Sequence, residues 1–287
     1  MAVGAPDSQI PPDPVRTIME DVQNRPDARS LPIDQVGVSD LRYPITVLDR
    51  ANGHQHTVAR WAMSVSLPHQ FKGTHMSRFI EVLNRHRGEV TLRTMPTLLA
   101  ELRERLHAER ARVEIEFPYF LERIAPVTGA TALMEYECRF VAEAGATEDE
   151  FVLGVRVPVG TLCPCSKAIS DYGAHNQRGI IDIAIRTRRS LEGQPQLVWI
   201  EELVELAERS GSCPVYPLLK RPDERHVTMQ AYDNPAFVED VVRNAAVVLR
   251  NDERVSWFRV HAVNFESIHN HNAFARIEWS RPAYPPH

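Results

Sequence analysis

Long apolar runs are missing from this sequence. No stretch approaches the roughly 20 consecutive apolar residues that a helix needs to cross a bilayer, so no membrane span and no membrane partner are expected. Cysteine is scarce, with four in 287 residues, too few for the disulfide frameworks that staple small secreted domains. There is no excess of basic charge: 33 Lys and Arg against 38 Asp and Glu leave a formal net charge of −5. That balance argues against non-specific nucleic-acid binding as the main business. The first residues, MAVGAPDSQIPPDP, lack the basic segment followed by an apolar one that marks a secretory signal. These absences lead to the expectation of a cytoplasmic protein, in a reducing compartment where paired cysteines stay thiols or bind metal. What is present is ordinary for a globular chain. The hydrophobic fraction is 43% and the charged fraction 25%, and the length suffices for two domains or one large one.

Residues 1–37 are rich in Pro, Asp and Gln and are read as a partly disordered leader. From Val38 the pattern changes. Strands are predicted over Leu41–Leu48 and Thr57–Leu67, with Ala51-Asn52-Gly53 at the turn. Helical spacing follows over Met76–His86 and Thr94–His107, then strands over Ala111–Leu121 and Thr131–Ala142. The second half repeats that order. It reads strands over Glu150–Thr161 and Gly179–Arg188, helices over Val198–Ser210 and Asn234–Arg250, and strands over Val255–Glu266 and Ala273–Ser280. The expected fold is α+β. Two tandem ββααββ modules, 38–148 and 149–287, would each form an antiparallel four-stranded sheet with a helical layer.

The most informative stretch is Leu162 to Gly179, LCPCSKAISDYGAHNQRG. It is a loop, with room for one helical turn, between two strands. Cys163 and Cys165 stand one residue apart, and His175 follows Cys163 by twelve residues. Thiolate and imidazole suit zinc and similar borderline metals. The bland alternative is a pair of small buried residues in a turn. The spacing is not that of a zinc finger, which has two to four residues between its cysteines.

Three later places also carry candidate chemistry. Pro217 to His226, PLLKRPDERH, joins two predicted helices and gathers Lys220, Arg221, Asp223, Glu224, Arg225 and His226. A solvated loop explains such a run as well as a carboxylate set beside cations for phosphate does. Glu239 stands on the first turns of a helix, where a carboxylate complements the dipole. Asn264 to Asn272, NFESIHNHN, places Glu266, His269 and His271 within six residues at a strand end, a grouping suited to proton transfer.

Taken together, LCPCSKAISDYGAHNQRG, LLKRPDE, the FVEDVVRNAA helix and FESIHNHNAFA resemble the type IB GTP cyclohydrolases. The first half is similar to that family in length and pattern more than in motif. The resemblance implies a tunnelling fold with two modules per chain, assembled into a homotetramer around a central tunnel. It implies hydrolysis of GTP to formate and 7,8-dihydroneopterin triphosphate, with zinc or manganese as the metal. Cys163 would be the thiolate at the metal, with His175 and Glu224 as the other protein ligands, although His269 or His271 could complete the sphere. Glu239 would anchor the guanine edge, and Cys165, Glu266, His269 and His271 would lie around the reacting ring. Lys167, Arg178, Lys220 and Arg221 are candidate cations for the triphosphate. Two rival readings stand beside this one: another tunnelling-fold enzyme such as the nitrile reductase of deazaguanine synthesis, with a covalent Cys, and a non-catalytic module stapled by a closed metal site.

Overall fold

The computed structural model describes residues 23, 25–86, 88–145, 149–190, 193 and 195–282. Residues 1–22, most of the stretch read as a leader, lie outside these, as do 146–148, where the boundary between modules was expected.

The first hairpin pairs β1 (Ile33–Asp49) with β2 (Gly53–Leu67), and Gly53 takes a φ of 80° at its turn, a conformation open to glycine. β1 starts at Ile33, so the last residues of the expected leader belong to the sheet. They are hard to read because the strand lies at the sheet edge, where its first residues stay largely exposed and do not alternate cleanly. α1 (Met76–Arg85) and α2 (Met95–Leu106) follow, then β3 (Ala111–Ile124) and β4 (Thr131–Ala144). The second half runs β5 (Asp149–Leu162), the short α3 (Pro164–Ile169), β6 (Asn176–Thr187) and α4 (Ile200–Ser210). It closes with β7 (Cys213–Pro214), α5 (Arg221–Asp233), α6 (Val238–Asn251), β8 (Val255–Asn264) and β9 (Ala273–Ser280). The run from Pro217 to His226, read as a loop, is therefore corrected in its second part, since it starts a helix at Arg221. Pro222 in the first turn and Asp223 three residues past Lys220 are its start signals.

The strands do not form two four-stranded sheets, as expected. They form one nine-stranded antiparallel sheet in the order β1-β2-β3-β4-β5-β6-β8-β9, with β7 on β5. The two halves join where β4 pairs β5 from Glu137↔Arg156 to Ala144↔Asp149. Strands that follow one another closely along the chain pair as antiparallel neighbours, and here that pairing joins one half to the other.

One face of the sheet carries the core. Trp61, Ile115, Tyr119, Tyr136, Val157 and Ile183 point into a single apolar cluster with Phe79, Leu98, Leu102, Val204 and Val242 from the helices. Each large apolar side chain so buried stabilises the fold by about 1.5–3 kcal/mol. The opposite face is charged. Glu137, Arg156, Asp182, His261 and Arg276 stand opposite one another on five successive strands, and a second row runs Arg60, Glu116, Arg139. Cross-strand pairs of opposite sign favour this register. An antiparallel sheet tolerates one solvated face.

A polar seam holds the halves together beneath the helices. The Tyr119 hydroxyl and the Arg50 N–H donate to Glu201 Oε1 of α4 at 2.8 and 2.7 Å. The Tyr136 hydroxyl donates to Glu208 Oε1 at 2.8 Å, and Arg123 pairs with the other oxygen. Burial pushes the Glu208 carboxyl up, while Arg123 and Tyr136 pull it back.

Candidate functional site

β5 alternates Val155, Val157, Val159 and Thr161 into the core and ends at Leu162. Cys163 then leaves the strand in extended backbone and caps α3, its Sγ accepting the Ser166 N–H at 3.5 Å. Pro164 fits the first helical position because its missing N–H would have had no intrahelical partner. The loop is closed by two further bonds. The Cys163 N–H donates to the His175 carbonyl at 3.2 Å, and the His175 N–H donates to Ser166 Oγ at 3.2 Å. A separation of twelve residues thus becomes adjacency.

The His175 ring is held from one side. Its Nδ1 lies 2.8 Å from Gln177 Oε1. Gln177 Nε2 donates to Glu266 Oε1 at 3.4 Å, and a carboxylate can only accept, which fixes which end of the amide is oxygen. With that amide orientation, the neutral ring that fits this contact carries its proton on Nδ1 and turns Nε2 outward as the ligating nitrogen. Metal-ligating histidines are oriented in this way by a partner on the other nitrogen. The His269 ring meets His175 edge-on at 6.4 Å, and His271 stacks on His269 at 5.0 Å. Cys163, Gln177, Phe237, Glu239, Asn264 and Glu266 line a cavity of about 450 Å³. Gly179 keeps Asn264 in place, since a Cβ there would stand 2.8 Å from Asn264 Oδ1.

Glu239 occupies the first turn of α6, but it does not cap the helix. That task falls to Asp240, whose Oδ2 accepts the Phe237 N–H at 3.1 Å. The Glu239 carboxylate has no hydrogen bond or ion pair among the described residues and faces the cavity.

Other expected site residues stand apart. Cys165 is exposed on α3 and does not line the cavity. Lys167 is engaged: its Nζ donates to the Tyr232 carbonyl at 2.5 Å and lies 4.2 Å from the centre of the Tyr232 ring. Arg178, Lys220 and Arg221 are exposed, and none of their side chains meets an acid among the described residues. Glu224 is exposed in the first turn of α5, about 12 Å of helix from Tyr232, where α3 touches α5. Among the described residues no three His, Cys, Asp or Glu side chains converge tightly enough to hold an ion. Within one chain, then, Glu224 is not gathered with Cys163 and His175 as expected, because α5 carries it to the far end of its own axis. Gln177 was not among the expected site residues. Its position two residues after His175, at the start of β6, is the signal that would have found it.

Residues 19–275 match the family model described as Type I GTP cyclohydrolase folE2.

This chain belongs to that cyclohydrolase family.

It is 54% identical over 263 residues to "GTP cyclohydrolase FolE2" of Pelobacter propionicus, which covers 92% of this chain and 99% of the relative. It is 53% identical over 264 residues to the protein of the same name from Syntrophobacter fumaroxidans, covering 92% of this chain and 100% of the relative. Among solved structures, uricase from Arthrobacter globiformis superposes with a TM-score of 0.51 at 9% identity, over 88% of this chain and 96% of that one. Urate oxidase from Bacillus sp. TB-90 gives 0.50 at 9% identity, over 87% of this chain and 100% of that one. These likenesses place the chain in the tunnelling fold, an α+β architecture. No helix among the described residues is long and apolar enough to cross a membrane.

Proposed function

We propose that this protein is a type IB GTP cyclohydrolase, opening the imidazole ring of GTP to give formate and 7,8-dihydroneopterin triphosphate, the first step of tetrahydrofolate biosynthesis. The observation that carries this reading, beside the family, is the cavity lined by Cys163, Glu266 and Glu239, a carboxylate without a partner among the described residues, with His175 joined to the cavity wall through Gln177 and His269 and His271 beside His175.

The residues do the following. Glu239 accepts two hydrogen bonds from the guanine amine and ring N–H, a bidentate pairing that selects the base. Phe237 and Phe274, both large and exposed at the cavity wall, offer apolar surface to the ring. His269 and His271 deliver the proton that the departing ring nitrogen needs and remove others in the steps after ring opening, a task suited to imidazole, which can both give and take a proton. Glu266 orients Gln177, which orients His175. Arg178, Lys220 and Arg221 take the triphosphate, with Lys167 joining them if it leaves Tyr232. Cys165 lies beside the reacting ring once substrate is bound.

Cys163 and His175 fit a divalent zinc or manganese ion: a thiol and an imidazole Nε2 with a free lone pair, on adjacent backbone. Glu224, whose carboxylate has no partner among the described residues, is assigned as the third ligand, and His269 or His271 is the alternative. Bound there, the ion supplies Lewis acidity toward water. The two halves of the chain are two tunnelling modules, and β1 and β9, the ends of the sheet order, offer open edges for closing a tunnel in a homotetramer. The compartment is the cytoplasm.

The test is purified protein with GTP and added Zn²⁺ or Mn²⁺, reading formate and the fluorescence of the oxidised pterin. One formate per pterin is expected. NADPH consumption with a cyano-deazaguanine and none of these products would replace the reading by a nitrile reductase. Unfolding on chelation, with no turnover at any metal load, would replace it by a structural metal module.

A further inference from the structure

The start of α5 is fixed from outside its own half of the chain. Asp223 is fully buried and accepts four hydrogen bonds. One is the helix-start bond from its own chain segment, the Lys220 N–H at 3.0 Å. The other three come from the turn between β3 and β4: the Val127 and Thr128 N–H groups at 2.8 Å each, and the Thr128 hydroxyl at 2.6 Å. That turn is itself closed by Ala125 N–H to Ala130 O at 2.8 Å and by Gly129 N–H to Ala125 O at 3.1 Å, so Val127 and Thr128 are free to point their N–H groups outward.

A buried carboxylate must be matched, and bonds to a charged acceptor are about twice as strong as neutral ones. The first turn of α5 therefore cannot shift without unpairing this charge. Lys220, Arg221 and Glu224 all stand on that turn, and the Glu224 N–H is bonded to the Lys220 carbonyl at 2.9 Å. With Glu201 and Glu208 the pattern is complete: three buried acids of the C-terminal half take donors from the N-terminal half.

We infer that Asp223 and Thr128 form a latch through which the N-terminal half positions Glu224 and its neighbouring cations for substrate and metal. Both are positioning residues, since neither touches the cavity. The inference rests on the role given above to the start of α5.

The experiment uses the full chain with Thr128→Val, Thr128→Ser and Asp223→Asn. Hydrogen exchange of the α5 amides, Mn²⁺ affinity without nucleotide, and GTP kinetics are read together. Thr128→Val should speed exchange at the start of α5 about tenfold while α6 stays as in the parent. It should weaken Mn²⁺ binding about tenfold and lower kcat with it, whereas Thr128→Ser, which keeps the hydroxyl, should stay within about twofold of the parent in all three. Asp223→Asn should exceed Thr128→Val. Parent-like exchange in Thr128→Val and Asp223→Asn overturns the latch. Faster exchange with parent-like Mn²⁺ affinity and kcat overturns its positioning role. If the parent itself turns over no GTP, the cyclohydrolase reading fails, and exchange with Mn²⁺ affinity still decides the latch.

Discussion

The two halves of the chain share their layers and differ in their connections. In the N-terminal half a tight turn after Asp49 joins the first two strands. In the C-terminal half the same place holds Cys163, α3 and His175. The turn between β3 and β4 closes within a few residues, whereas the connection between β8 and β9 carries Glu266, His269 and His271. Between the helices, the C-terminal half inserts α5, with Glu224 on its first turn. Strands and packed helices supply rigidity and recur in a similar order in the two halves. On the proposed assignment the chemistry sits in the connections that the rigid parts hold. Changes in the C-terminal connections should therefore move catalysis, and changes in the seam should move stability.

The largest effect is expected for Cys163→Ala. Losing the ion's Lewis acidity removes several kcal/mol of transition-state stabilisation, so turnover of GTP should fall about a thousandfold or more. Metal analysis should show the ion gone, and circular dichroism should show the fold intact. His175→Ala should behave alike; if it keeps its metal and only weakens GTP binding, His175 belongs to the substrate instead.

His269→Ala should lower kcat by about a hundredfold or more, the usual contribution of a positioned acid or base, with metal content unchanged. Loss of the metal in this variant would make His269 a ligand and relieve Glu224 of that role.

Glu239→Gln replaces one acceptor oxygen by a donor that would face a donor on guanine, an unmatched pair costing about 1–3 kcal/mol. kcat/KM for GTP should fall about tenfold to a hundredfold, with the melting temperature near that of the parent. Unchanged kinetics and a lowered melting temperature would return Glu239 to the role of a helix-start charge, which the structure already gives to Asp240.

The seam should show the reverse. Tyr119→Phe takes a donor from buried Glu201 and should cost about 1–3 kcal/mol of stability, read by denaturant unfolding, with kcat/KM within about twofold of the parent.

The smallest effect is one of pH. Burial alone would raise the Asp223 carboxyl, but its bonds from Thr128, Lys220 and Val127 outweigh burial and hold it well below the usual range. A group depressed in this way stabilises the fold fully above the unfolded value of about 3.9, and that stabilisation fades as pH falls below it. Unfolding free energy measured from pH 5 to pH 3 should therefore drop less steeply in Asp223→Asn than in the parent.

Much of this was legible in the sequence. Alternation placed the interior strands, because one face of each is buried and the other charged. The Cys163–His175 loop and the Glu266–His271 connection stood out because such residue types are uncommon together at strand ends. Three things were not legible. The start of β1 hides at an exposed edge. The single sheet depends on β4–β5 pairing, a relation between strands that no pattern within either strand records. α5 hides because a helix that begins RPDERH is polar nearly all round, so periodicity gives no signal and only Pro222 and Asp223 mark it.

One measurement bears most directly on the claim that the C-terminal connections carry a metal-dependent opening of GTP. Protein stripped by chelator is titrated with Mn²⁺ while formate release from GTP is followed, with Cys163→Ala alongside. Formate release by the parent should rise with Mn²⁺ and saturate near one ion per site, the stripped protein staying folded, and Cys163→Ala should stay flat. Parent and variant giving the same curve, or no formate at any Mn²⁺ level, would contradict it.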